Sequence, residues 1–165
     1  MTMRKAVALL VSVSLQACAQ QAPAAAAAAA APLFSKQHWK VTAGTCPIGC
    51  SDTTRKFLSS QIGREVQLSP TQFAAPFDDP CEGTLRYETR VVPASAVVAD
   101  VNKGVAPAHR QMVAADLKLD AAGSTTTAVA LCRGGAGEST QARLLAIEPD
   151  RVLVLFEEQS VIELR

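Results

Sequence analysis

The chain has 165 residues, 16 basic and 15 acidic side chains, a formal net charge of +1, and five cysteines. A near-neutral balance with one Trp, one Tyr and no basic run argues against nucleic-acid binding. The 48% hydrophobic content is enough for a real core, and the length past residue 32 suits one domain.

Met1-Thr2-Met3-Arg4-Lys5 is a short cationic stretch, followed by AVALLVSVSL over residues 6–15. A positive head and a short apolar stretch have the layout of a secretory signal. Ten residues are too few for a spanning helix, which needs about 20, and no later apolar run is longer. The segment therefore reads as an export signal.

Leu15-Gln16-Ala17-Cys18 resembles the lipobox of bacterial lipoproteins, with Gln16 standing where a small or β-branched residue is usual. That resemblance implies removal of residues 1–17, attachment of lipid at Cys18, and, with Ala19 rather than aspartate next, delivery to the periplasmic face of the outer membrane. Ordinary cleavage after Ala17-Cys18-Ala19 also fits and would leave a soluble periplasmic or secreted protein. Assigning Cys18 to lipid leaves Cys46, Cys50, Cys81 and Cys132, an even set suited to disulfides in an oxidising compartment. Several acyl chains hold a protein on a membrane stably where a single one does not.

The next stretch, QQAPAAAAAAAAP over residues 20–32, has no charge and no large apolar side chain to bury. It reads as a tether. The organisation is thus a signal (1–17), a lipidated cysteine with its tether (18–32) and a single domain (33–165).

Within that domain, periodicity predicts a strand at residues 37–42, a helix at 53–61 capped by Ser51 or Asp52, and short strands at 65–68 and 72–74. The helix spacing groups Phe57, Leu58 and Ile62 on one face, and Gly63 supplies its stop. A firmer strand at 85–92 ends at Pro93, and 94–102 places Val97, Val98 and Val101 at helical spacing. Residues 125–132 form a strand bounded by the glycines at 134, 135 and 137. Apolar runs at 143–147, 152–156 and 161–164, split by Pro149-Asp150 and Glu157-Glu158-Gln159, predict a C-terminal β-meander. The fold class is β-rich (α+β): a small antiparallel barrel or sandwich with one or two short helices.

Four cysteines allow three pairings. The arrangement favoured is Cys46 with Cys50 and Cys81 with Cys132, because the second pair flanks predicted strands and can cross-link distant parts of the sheet. Cys46-Pro47-Ile48-Gly49-Cys50 resembles the CPxxC signature of Sco-type copper and thiol-redox proteins, including the strand before it and the helix after it. The resemblance implies a thioredoxin fold and a copper site completed by a downstream histidine, for which His109 is the one candidate.

Other motifs carry less chemistry. Gly135-Ala136-Gly137 lacks the third glycine of a dinucleotide loop and reads as a hairpin connection. Asp78-Asp79 lies between Pro76 and Pro80 as solvated acids or a cation site; His38 belongs to no metal or nucleophile motif. There is no GxSxG elbow, HExxH helix or paired CxxC, so no catalytic residue and no cofactor is assigned.

The leading expectation is a non-enzymatic, lipid-anchored protein that binds another envelope protein through the loops at 76–83 and 133–140. In size, export, cysteines and β content it is similar to small periplasmic lysozyme inhibitors and immunity lipoproteins that neutralise cell-wall hydrolases. The alternatives are a copper-binding or thiol-redox protein using Cys46, Cys50 and His109, and an architectural lipoprotein without a small-molecule site.

Overall fold

A computed structural model describes residues 32–156 and 159–165. The signal segment, Cys18 and the tether up to residue 31 lie outside the described residues. The elements are β1 (His38–Thr45), α1 (Asp52–Gln61), β2 (Glu65–Ser69), β3 (Gln72–Ala74), β4 (Thr84–Pro93), α2 (Ala94–Val101), a 3₁₀ turn (Ala114–Leu117), β5 (Ser124–Gly134), β6 (Gly137–Glu148), β7 (Arg151–Leu155) and β8 (Val161–Leu164). The eight strands form one antiparallel sheet in the order β3-β2-β1-β8-β7-β6-β5-β4. It curls into a nearly closed barrel, which settles the choice between barrel and sandwich. The seam lies between β3 and β4, where the Tyr87 hydroxyl donates to the Gln72 carbonyl at 3.0 Å.

Local sequence accounts for most of these elements. Ser51 caps α1 by accepting the Thr54 N–H at 3.1 Å, and Asp52 sits in the first turn, where the helix dipole favours negative charge. Gly63, at φ +86°, turns the chain out of the helix, and its N–H binds the Val41 carbonyl at 2.8 Å. Ile62 departs from expectation. As the C-cap it has left helical geometry, and it is 52% exposed rather than packed beside Leu58.

The start of β6 is the larger departure. Sequence places its strand at 143–147, yet β6 runs from Gly137, and only Gly135-Ala136 separates it from β5. Residues 137–140 are exposed, so no apolar alternation marks them as a strand. Pairing with β5 and ion pairs from Glu138 to Arg86 (2.7 Å) and Arg133 (3.6 Å) hold this end in place. The predicted loop at 133–140 is therefore the tip of a projecting hairpin. The 3₁₀ turn also has no counterpart in the periodicity; its Leu117 is fully buried.

Burial follows the pleat. Trp39, Val41, Val66, Leu68, Phe73, Leu144, Val152, Val154, Ile162 and Leu164 fill the interior beside the small Ala128, Ala130, Ala142 and Ala146. The other face of β6, β7 and β8 is covered as well. Leu145, Leu153 and Val161 pack with Val97, Met112 and Leu117 from the segment between β4 and β5. This double coverage explains why β7 is a continuous apolar run rather than an alternating one. Asn102 pins that segment, donating to the Met112 carbonyl and accepting the Met112 N–H, both at 2.9 Å.

Successive turns of an antiparallel meander alternate between ends, so the β5–β6 and β6–β7 turns lie at opposite ends of the barrel. The Ser35 hydroxyl donates to the Pro149 carbonyl at the β6–β7 turn, and buried Leu33 joins the interior core. Entry of the chain thus occurs at the end away from the β5–β6 hairpin. The hairpin end is plugged by Leu58 of α1 and by Phe57 stacked on Phe156 (5.7 Å), with Phe77 edge-on to Phe156 (6.1 Å). Gly44 lets α1 approach β1 closely, since a Cβ there would meet the Leu58 Cβ at 2.7 Å.

Candidate binding cleft at the barrel rim

Both disulfides have the pairing favoured from sequence: Cys46 with Cys50 and Cys81 with Cys132. The second brings together the two loops singled out as candidates for binding. Cys132 lies on β5 opposite Ser139 of β6, so its bond to Cys81 lashes residues 76–83 against the projecting hairpin. The Gln141 side-chain amide adds a donor bond to the Asp79 carbonyl.

Between these segments lies a cleft of about 480 Å³, with Asp78, Asp79, Pro80 and Glu82 on one side and Ser139, Thr140 and Gln141 on the other. A second hollow of about 510 Å³ shares Asp78, Thr140 and Gln141 and has Phe77, Met112, Leu155 and Phe156 in its walls. Together they make an amphipathic trough with an acidic end and an apolar end. Such a mixture of apolar walls and few polar groups is typical of recognition sites.

The acidic end carries uncompensated charge. Asp78, Asp79 and Glu82 form no ion pair among the described residues. Partial burial pushes the Asp78 carboxyl above its ordinary range, with the neighbouring Asp79 charge in the same direction, against hydrogen bonds from Gln141 and the Asp79 backbone. A cation entering there would relieve both the burial cost and the repulsion. At the other wall, Arg143 is tied to Asp100 at 3.3 Å.

The remaining candidates do not join this site. Cys46 and Cys50 line a small hollow of about 140 Å³ with Gly44, Arg55 and Leu58. Arg55 donates to the Cys50 carbonyl at 3.4 Å, and Arg110 donates to the Pro47 carbonyl while pairing with Asp116 at 2.9 Å. His109 is exposed beside Arg110, but no group of three or more metal-binding side chains occurs among the described residues. The barrel is also not the thioredoxin fold that the Sco-type resemblance implies, so that likeness stops at the loop. His38 is exposed at the start of β1, and Gly135-Ala136 is the hairpin turn expected of it.

Sequence reasoning missed the apolar wall. Phe77, between two prolines and ahead of two acids, has no role assigned from sequence, yet it is buried in the rim; Phe156 and Met112 arrive from remote segments. The one available signal was a large aromatic residue inside a proline-rich acidic loop.

Comparison of the chain with protein-family models, with curated proteins and with solved structures finds no match. Among the described residues no helix is long and apolar enough to cross a membrane.

Proposed function

We propose that this chain is an exported, lipid-anchored binding protein of the bacterial envelope, which holds another envelope protein in the rim cleft. The carrying observation is polarity: the chain enters at the β6–β7 end of the barrel, whereas the cleft lies beside the β5–β6 hairpin. A barrel tethered through Cys18 then presents the cleft away from its anchor.

Two further features favour this reading. Two disulfides consume four of five cysteines and leave Cys18 for acylation. The trough joins apolar walls to unpaired carboxylates, and such a site selects a partner segment with a basic side chain next to an apolar one. Inhibition of, or immunity to, a cell-wall hydrolase is the role we assign to such an interaction.

The test compares the unaltered protein with an Asp79→Lys, Glu82→Lys variant as bait in envelope extract. Both positions are exposed, so folding should be unaffected and melting temperatures should coincide. The expected result is a protein partner retained by the former and reduced about tenfold or more with the latter, equivalent to about 1.4 kcal/mol. Equal retention by both, or copper copurifying with no protein partner, would count against the proposal.

A further inference from the structure

We infer that the partner segment held in the rim cleft is bound as an added β-strand, laid antiparallel along the free edge of β6 in line with β7. This rests on the cleft reading above and deepens it by assigning the conformation and the side-chain order of that segment.

β6 outruns one of its neighbours. Its pairing with β7 ends at Arg143 opposite Leu155, whereas its pairing with β5 continues to Gly137. Among the described residues, 137–142 therefore have a partner strand on one side only, over a length of about 20 Å.

Bonding directions follow from one contact and one bulge. The Thr125 hydroxyl donates to the Ala146 carbonyl at 2.7 Å, so the backbone groups of even-numbered residues from Ala142 to Ala146 face β5. The register slips by one residue at Gln141, between the pairs Ala130–Ala142 and Leu131–Thr140. Beyond that bulge the odd-numbered Gly137 and Ser139 face β5, and the N–H and C=O groups of Glu138 and Thr140 point to the open side. Among the described residues no backbone bond reaches them there.

The polar side chains of this stretch do not guard its edge. Glu138 is drawn across β5 to Arg86 and Arg133, at 2.7 and 3.6 Å, and Gln141 is tied to the Asp79 carbonyl. Space for another strand is present as well. The hollow of about 510 Å³ is bounded by Thr140 to Arg143 of β6 and by Leu155 and Phe156, where β7 stops. A segment added to such an edge gains affinity from main-chain bonds and specificity from pockets for alternate side chains.

The two ends of the trough fix the order of those side chains. Ser139 lies opposite Cys132, whose bond to Cys81 marks that face of the hairpin as the one turned to residues 76–83. A guest residue opposite Ser139 points the same way, towards Asp79 and Glu82, and the residue two places before it points towards Phe77 and Phe156. The uncompensated carboxylates select a basic side chain at the first of these positions, and the aromatic wall selects an apolar one at the second. The segment thus reads apolar, any residue, basic. Its bonds to β6 come from the residues that follow the apolar and the basic one, opposite Thr140 and Glu138.

The test titrates the full chain with the acetylated, amidated peptide threonine-leucine-threonine-lysine-threonine and follows amide hydrogen exchange by NMR. Exchange at Glu138 and Thr140 should slow about tenfold at saturation. N-methylation of the two threonines that follow leucine and lysine should abolish binding, whereas N-methylation of leucine and lysine should leave it intact. In the envelope-extract experiment, Thr140→Pro removes an N–H that no other strand uses, so the fold should hold and the retained partner should fall about fivefold. No slowing at Glu138 and Thr140, slow exchange there before peptide is added, or equal effects of the two N-methylation patterns would overturn the inference. Equal retention by the parent protein and Thr140→Pro would do so too, while leaving the cleft reading intact. Peptide binding in the expected pattern with no protein retained from extract would uphold the strand mode and refute the envelope-partner reading.

Discussion

Replacing Cys81 and Cys132 together with alanine should lower the stability of the domain by on the order of 4 kcal/mol, because their bond closes a separation of 51 residues. For a domain of this size that corresponds to a drop of roughly 15 °C in melting temperature. The same exchange at Cys46 and Cys50, four residues apart, should cost about half as much on loop entropy. The larger bond also has a functional consequence. It holds residues 76–83 against the projecting hairpin, and without it the Gln141 bond to the Asp79 carbonyl remains as a tie to β6. Thermal denaturation of both double variants checks the ranking; coincident curves for the Cys81 variant and the parent protein would contradict it.

Loss of Glu163 should be comparably damaging. Arg151 and Glu163 are 8% and 13% exposed and meet at 2.8 Å on neighbouring strands β7 and β8. Arg165 (2.9 Å) and Lys118 (3.6 Å) approach the same carboxylate. Removing one partner of a buried pair leaves the other charge desolvated, so Glu163→Ala should cost about 3 kcal/mol, read from urea denaturation at neutral pH. Arg151→Met with Glu163→Leu should recover most of that loss, because neither charge then remains buried.

The same cluster predicts an acid limb. Burial raises the Glu163 pKa, but hydrogen bonds from Arg151 and Arg165 and the charges of Arg151 and Lys118 outweigh it, holding the value at about 2 against an ordinary 4.5. A depressed carboxyl stabilises the folded state fully above its unfolded pKa, and that contribution disappears as the folded form takes up a proton. Stability should therefore fall between pH 4.5 and 2 in the parent protein. Glu163→Ala should show a shallower decline over the same interval.

How far the sequence discloses this architecture depends on whether one or both faces of a strand are buried. β1, β2 and the C-terminal meander alternate or run apolar in the expected manner, and they form where periodicity places them. The first part of β6, with Glu138, Ser139, Thr140 and Gln141, offers no such pattern, because it projects beyond β7 and is held by pairing with β5. Ser51, Gly63 and Pro93 act as the local stops and caps that their chemistry suggests. The cleft was legible only in part. Its two loops stand out as acidic, proline-rich or glycine-rich segments, but their convergence depends on one of three possible cysteine pairings. Its apolar wall depends on Phe77, Met112 and Phe156, which are brought together from three parts of the chain.

Delivery of this barrel to the envelope with lipid on Cys18 is read directly from the mass of the mature N-terminus. Protein recovered from the membrane fraction should begin at a diacylated Cys18, lack residues 1–17, and lose both lipid and membrane association in a Cys18→Ala variant. An N-terminus at Gln20 without lipid, or full-length chains still carrying Met1, would contradict it.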